Sequence, residues 1–424
     1  MHKNDIEYRR EILEDLKRNP NTEPSLRAWA EEFAELIKTH KMLRKDARRS
    51  GTTDRDAVAA ANNVRITQAI CLKRGILFLR DALTRLCGDY NSEGLKRLKE
   101  ALETIATAPE SEDLLYLCGQ IENTLLNETS YRLTLTEEGA VARCEPIYPQ
   151  RTPPKEEKRR FSLFRREVAP APYRGTSFLS AELIGNAVKE SSGLLEQLCE
   201  ELFSRFGEIG KELSFYRTAL EYETCMTEKG ATLIYPKIAS YTSLTDLCDP
   251  FLLLSQSAKK VVKNDYIPKK AKGTLIFGKN SGDKTVFLRS VMTAQLLAQG
   301  GLPISAKGVI HPYARMDSIF AEAETDSKTD RAGRFEQEVR QTAKILEKTT
   351  KDTILFFNEP FQTTDPREGA VGLAGILRHL SENGVHWITV THLKDLKTAF
   401  WGRCLILTAQ DGYRIMPTPS QELD

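Results

Sequence analysis

The chain has 424 residues, with 61 Lys+Arg against 59 Asp+Glu, 40% hydrophobic and 28% charged residues. That balance supplies apolar surface for about two or three domains and excludes a chain disordered throughout. A net charge of +2 means that any contact with nucleic acid must come from local patches.

No stretch approaches the roughly 18 to 20 uninterrupted apolar residues of a membrane helix. The opening segment MHKNDIEYRREILEDLKRN is charged where a secretory leader would be apolar. The expectation is a cytoplasmic protein without a membrane segment. Eight cysteines (Cys71, Cys87, Cys118, Cys144, Cys199, Cys225, Cys248 and Cys404) are scattered without a C-x-x-C pair, so mostly buried thiols are expected.

The first 130 residues hold few glycines or prolines and read as helices. Trp29, Phe33, Leu36, Ile37 and His40 line one face of an amphipathic helix. After a polar break at Ser50 to Asp56, Ile66, Ile70, Leu77 and Leu83 mark another. Tyr131, Leu133 and Leu135 alternate with Arg132, Thr134 and Thr136, and Glu137-Glu138-Gly139 turns the chain into Ala140-Val141-Ala142, which predicts a small β-hairpin.

Residues 145–175 hold six of the 18 prolines, and RTPPKEEKRRFSLFRR at 151–166 carries seven Lys/Arg against two Glu. Phe161 and Phe164 interleave with Arg159, Arg160, Arg165 and Arg166. Such a run could lie along phosphates and stack on bases, or could be a solvated loop. Next, Leu195, Cys199, Leu202, Phe206, Ile209, Leu213, Tyr216 and Leu220 alternate spacings of four and three, a seam that predicts one long helix. Beyond Gly230, the runs TLIYP, FLLL, GTLIF, DTILFF, VHWITV and CLILT read as strands separated by helices, hence a largely parallel α/β sheet from about 231 to the end.

The strongest chemical signal is the strand TLIF followed by Gly278-Lys279-Asn280-Ser281-Gly282-Asp283-Lys284-Thr285 and a helical VFLRSVMTAQLLAQ. A strand, a glycine loop and Lys-Thr at a helix start is an arrangement that cradles nucleotide phosphates. Backbone N–H groups face the anion, the lysine reaches the β/γ-phosphates, and the threonine hydroxyl can ligate Mg²⁺. Asp283 stands where G-x-x-x-x-G-K-[ST] has glycine, and its carboxylate opposes an anion. The apolar run Thr353 to Phe357 ends in Asn358-Glu359, where such a protein places its magnesium-organising residue and its base. An amide brings no charge to the cation, so Asn358 predicts weaker metal affinity. A third run, Trp387 to Thr391, ends in His392, placed to hydrogen-bond a γ-phosphate.

These motifs together resemble the ATPase domain of the MutS family, the ABC-type dimeric ATPases of DNA mismatch repair. The resemblance runs through GKNSGDKTVFLRS, RAGRFEQEVRQTAKIL, NEPFQTTDPREG and VTHLKDL, with LSFYRTALEY, EKGATLIYPKI, DPFLLL and VKND upstream, and covers about residues 190–410. The N-terminal half is similar, more loosely, to a short bacterial MutS-like group without the mismatch-reading domain. The resemblance implies an α/β P-loop (ABC-type) ATPase domain preceded by a mainly α-helical core/lever domain with a small β-hairpin. The implied division is a helical core at 1–144, a Pro-rich basic linker or loop at 145–175, a long lever helix region at 176–230 and the ATPase domain at 231–424.

Carried over by residue, the resemblance implies a phosphate and magnesium site of Gly278, Lys279, Asn280, Ser281, Gly282, Asp283, Lys284 and Thr285, with Thr285 and Asn358 on the metal. Lys284, Glu359 and His392 are implied as catalytic. Ala332-Gly333-Arg334 would form the signature segment that reaches the γ-phosphate of a partner subunit, with Gly333 and Arg334 as nucleotide contacts. Thr363, Thr364 and Asp365 would lie in a loop crossing the interface. The implied cofactors are ATP and Mg²⁺, the implied assembly is a homodimer, and DNA is the implied partner. The FAE at Phe33 to Glu35 has the spacing of the family's mismatch wedge, but the apolar face of its helix claims Phe33, so no mismatch-specific contact is expected. Two competing readings are a pseudo-ATPase scaffold, with turnover lost through Asp283 and Asn358, and a P-loop ATPase acting on protein partners.

Overall fold

The computed structural model describes residues 3–47, 54–123, 131–135, 141–146, 178–255, 260–278, 283–320, 334–362 and 364–419. The chain divides into two compact units, one of Asp15–Arg217 and one of Met1–Glu14 with Thr218–Asp424. Among the described residues no helix is long and apolar enough to cross a membrane.

The chain opens with helices α1 (Lys3–Arg18), α2 (Thr22–Ala47), α3 (Asp54–Arg85), α4 (Glu93–Ala106) and α5 (Pro109–Asn123). The hairpin β1 (Tyr131–Leu135) and β2 (Val141–Pro146) follows, then α6 (Phe178–Phe206) and α7 (Ile209–Glu228). In the Asp15–Arg217 unit, α3 is the central helix and packs against α2, α4, α5 and α6. Gly75 permits the close approach of α6, since a Cβ there would lie 2.8 Å from a methyl of Leu202. Trp29, Phe33, Leu36 and His40 are buried on α2 as the spacing predicts. The Trp29 indole stacks on Phe33 at 5.1 Å and donates to the Phe78 carbonyl at 2.6 Å. The hairpin strands pair antiparallel; its turn at 136–140 lies outside the described residues.

Two helical readings are corrected. The buried face of α3 runs through Ala69, Leu72, Ile76, Leu79 and Ala82, whereas Leu77 is 46% exposed, because a helix packed on several sides leaves little of an amphipathic stripe to read. The single helix expected across Leu195 to Leu220 is two. The α-ladder stops at Gly207, where the backbone is least committed to a helix, and restarts at Ile209. Leu195, Cys199, Leu202, Phe206, Leu213 and Tyr216 are nevertheless buried on both sides of the break. Of the cysteines with described side chains, Cys71, Cys118, Cys199 and Cys248 are buried, Cys225 and Cys404 half-buried and Cys87 exposed.

The second unit contains β3 (Lys237–Ile238), β4 (Ser243–Leu247), α8 (Pro250–Ser255), β5 (Asn264–Tyr266), β6 (Gly273–Phe277), α9 (Asp283–Gln299), β7 (Lys307–Ile310) and β8 (Arg315–Phe320). It continues with α10 (Arg334–Leu346), β9 (Thr353–Asn358), α11 (Pro366–Glu382), β10 (His386–Val390), α12 (Asp395–Ala399), β11 (Leu405–Gln410) and β12 (Arg414–Pro417). Six strands form a sheet in the order β12-β11-β6-β10-β9-β8, parallel except at the β12 edge. A smaller mixed sheet has the order β3-β7-β4-β5. The parallel strands are apolar on both faces because both are covered. Ile276, Ile354, Phe356, Ile388 and Val390 pack with Phe287, Leu288 and Val291 of α9 on one side. Leu275, Phe277, Leu355, Phe357 and Trp387 pack with Leu373, Leu377 and Leu380 of α11 on the other.

FLLL, expected as a strand, is helix α8. Asp249 sets it: the buried carboxylate accepts from the N–H groups of Phe251 at 2.7 Å and Leu252 at 3.1 Å, and Pro250 fits the first helical position. Arg289 of α9 holds the other carboxylate oxygen at 2.8 Å. TLIYP yields a single bridge, Ile234 to Ile304, before β3.

His386, at the start of β10, lies 3.4 Å from the Lys272 ammonium and beside Tyr313 and His311. Burial first, then Lys272 and His311, push its pKa down to about 4 from 6.5. The folded chain thus binds this proton less readily than the unfolded chain. The contribution is complete above pH 6.5 and is lost as the pH falls toward 4. Acid titration of unfolding free energy should show a loss on the order of 2 to 3 kcal/mol across that window. The His386→Gln variant should flatten it; an unchanged slope would show that His386 does not carry the effect.

Candidate functional site

The parallel register brings three strand ends level. Val390 of β10 pairs with Ile276 of β6 on one side and with Asn358 of β9 on the other. The carboxyl ends of adjacent parallel strands are where open α/β sheets bind ligands. Past β6 the chain leaves the sheet at Gly278, with φ +148°, where a Cβ would lie 2.6 Å from the Ala409 Cβ. Only glycine meets both demands. Lys279, Asn280, Ser281 and Gly282 lie outside the described residues.

Helix α9 then begins at Asp283, an acid in the first turn, where it complements the helix dipole. The next residue, Lys284, is 2% exposed. Its ammonium donates to the Gly278 carbonyl at 2.9 Å and sits 3.8 Å from a Glu359 carboxylate oxygen. A cation so far removed from water needs such partners, and an incoming anion could join or replace them. Thr285 donates its hydroxyl to the Asn358 Oδ1 at 2.9 Å, which joins the helix start to the end of β9.

Glu359 follows Asn358 with φ 53°, an uncommon conformation for a residue with a side chain. Its N–H donates to the Val390 carbonyl at 2.9 Å, and its carboxylate accepts from Gln362. His392 is exposed two residues beyond the end of β10; Thr391 before it is buried and donates its N–H to the Ile276 carbonyl at 3.1 Å. Strand order thus sets Gly278, Lys284, Thr285, Asn358 and Glu359 in one place, with His392 in the loop that follows β10, the strand between β6 and β9.

Ala332 and Gly333 lie outside the described residues, as do Thr363 and the side chain of Arg334, which begins α10. Asp365 has a local role: it caps α11, accepting from the N–H groups of Arg367 at 2.9 Å and Glu368 at 3.3 Å ahead of Pro366.

Sequence reasoning missed two neighbours of Glu359. Gln362 reaches its carboxylate, and Glu338 of α10 accepts the N–H of Phe361 at 2.7 Å. Neither has a sequence signal, since one contact is made within an irregular loop and the other joins a helix to a backbone group 23 positions away. Asp249 could have been found, because Asp-Pro ahead of an apolar run marks a helix start.

The fold and site define an α/β domain with a buried lysine and an acid gathered at the carboxyl ends of parallel strands. Residues 274–402, from β6 past α12, match the family described as MutS domain V. This stretch identifies a MutS-family domain within the chain. It is 35% identical over 124 residues to the Endonuclease MutS2 of Streptococcus mutans, covering 29% of this chain and 16% of that protein. Identity to the Endonuclease MutS2 of Lactococcus lactis subsp. cremoris is 32% over 167 residues, 38% of this chain and 21% of the relative. For that of Thermus thermophilus it is 33% over 144 residues, 34% and 19% respectively. The aligned stretches thus span about a fifth of the length of these relatives.

Proposed function

We propose that this chain binds ATP with magnesium at the carboxyl ends of β6, β9 and β10 and hydrolyses it, as a P-loop ATPase of the MutS/ABC type. The observation that carries the reading is the meeting of a buried Lys284 ammonium, a Thr285–Asn358 hydrogen bond and Glu359 at one edge of the sheet. These residues fit the substrate. Lys284 offers a desolvated cation to the β/γ-phosphates, and Gly278 lets the backbone turn toward them. Thr285 and Asn358 offer two oxygens to a magnesium ion, which when bound supplies charge neutralisation at the phosphates. Glu359 orients the attacking water and takes its proton, and His392 donates to the γ-phosphate.

The assembly proposed is a cytoplasmic homodimer in which Gly333 and Arg334 of each subunit contact the nucleotide of the other. The helical segments 1–144 and 176–230 would serve as arms coupling nucleotide state to DNA or a branched nucleic-acid structure. Support for nucleic acid comes from the relatives named Endonuclease MutS2 and from the basic run 151–166, which lies outside the described residues. No mismatch-specific contact is part of the proposal.

The second reading, a pseudo-ATPase scaffold, is favoured by Asp283 in the first turn of α9 and by an amide at position 358. Mg²⁺-dependent turnover by the purified chain decides between them. Under the ATPase reading, Asp283→Gly should tighten ATP binding about twofold to tenfold by removing a like charge, with little change in kcat. Background turnover in the parent, with a large gain in Asp283→Gly, would instead identify a degraded site.

A further inference from the structure

We infer that Glu338 is a positioning residue for Glu359: it holds the loop 359–362 in the left-handed backbone conformation that presents the Glu359 carboxylate to the site. The inference rests on the ATPase reading for its catalytic consequence and on geometry alone for the contact. Two residues of this short loop, Glu359 at φ 53° and Phe361 at φ 62°, occupy a region that residues with side chains rarely adopt. Such conformations persist only where the surroundings over-determine them.

The surroundings act from opposite sides. On the sheet side, the Glu359 N–H is tied to the Val390 carbonyl of β10 at 2.9 Å. On the helix side, the Phe361 N–H is tied to the Glu338 Oε2 of α10 at 2.7 Å. A hydrogen bond to a carboxylate is stronger than one between neutral groups. Phe361 is buried in the core beneath α11, its ring meeting Phe335 at 5.6 Å and forming one wall of an open pocket of about 290 Å³ with Val339 and Ile376. The buried ring anchors the side chain, and the carboxylate of Glu338 anchors the main-chain N–H of the same residue. With the Phe361 amide fixed, Gln362 is set to reach back to the Glu359 carboxylate.

The test compares the full chain with Glu338→Ala and Glu338→Gln. Alanine is the best helix former, so α10 should survive the first change. Glutamine keeps an acceptor oxygen without the charge. Expected for Glu338→Ala is exchange of the Phe361 amide hydrogen at least about tenfold faster than in the parent. Its kcat for ATP should fall about 10- to 100-fold with KM unchanged, as for a displaced catalytic group. Glu338→Gln should recover most of both. Parent-like exchange in Glu338→Ala overturns the contact, and faster exchange with an unchanged kcat overturns the positioning role. Failure of Glu338→Gln to recover either quantity also overturns it. If the parent shows no turnover, the ATPase reading falls, while the exchange measurement still decides whether Glu338 holds the loop.

Discussion

Replacing Glu359 by glutamine should cut Mg²⁺-dependent ATP turnover by about 100- to 10,000-fold, the range a positioned general base contributes. ATP binding should change by less than about threefold, since the interaction removed acts mainly in the transition state. Glutamine keeps the length and shape of the side chain, and its amide oxygen can still accept from Gln362. Lys284 keeps its bond to the Gly278 carbonyl. What is lost is the basicity needed to take a proton from water. Turnover and nucleotide titration measured on parent and variant together provide the check. A variant as active as its parent would remove Glu359 from the role of base; equal background rates would sink the hydrolysis reading itself.

The largest expected effect on stability is that of Trp387→Ala, about 3 to 5 kcal/mol for loss of a large buried aromatic. Trp387 is 1% exposed in the middle of the six-stranded sheet, its indole N–H donating to Ser381 of α11 at 2.9 Å. Its ring lies directly over Gly273 of β6, where an added Cβ would be 2.0 Å from the indole. The alanine variant therefore opens a cavity at the junction of β10, β6 and α11, and it leaves Ser381 without this partner. Gly273→Ala should also destabilise, in the range of about 1 to 3 kcal/mol or more, by overpacking the same junction. Denaturant unfolding of the full chain, followed through the transition of the α/β unit, checks both. A loss below about 1 kcal/mol for Trp387→Ala would contradict the packing argument.

Four strands of the large sheet were legible because each is a short apolar run buried on both faces and ended by polar residues, as in Thr353–Asn358. FLLL has the same composition and is a helix because Asp249 and Pro250 build its first turn, a local capping effect that hydrophobicity does not register. The small sheet was illegible for the opposite reason. SLTDL and NDY are polar and short, and they pair through backbone groups with β7 and each other. In the candidate site, Lys284, Thr285, Asn358 and Glu359 could be read because each lies beside a strand end or helix start. Glu338 could not, since it acts on a main-chain N–H across the fold, and α10 has no motif that points to it.

The first turns of α1 complete the unit that carries the site. Ile6 is fully buried, and Arg10 donates to the Pro236 carbonyl at 2.9 Å. A Cβ on Gly301 would lie 3.3 Å from the Ile6 carbonyl. During synthesis, then, Arg10 leaves the ribosome more than 200 residues ahead of the carbonyl it is to meet. The order of manufacture is the reverse of the order of closure: the stretch Asp15–Arg217 has all of its own chain in hand while the site-bearing unit is still missing its sheet. A nascent chain arrested midway would hold the first turns of α1 unsatisfied, and a fragment beginning at Thr218 would lack a strip of its own interior.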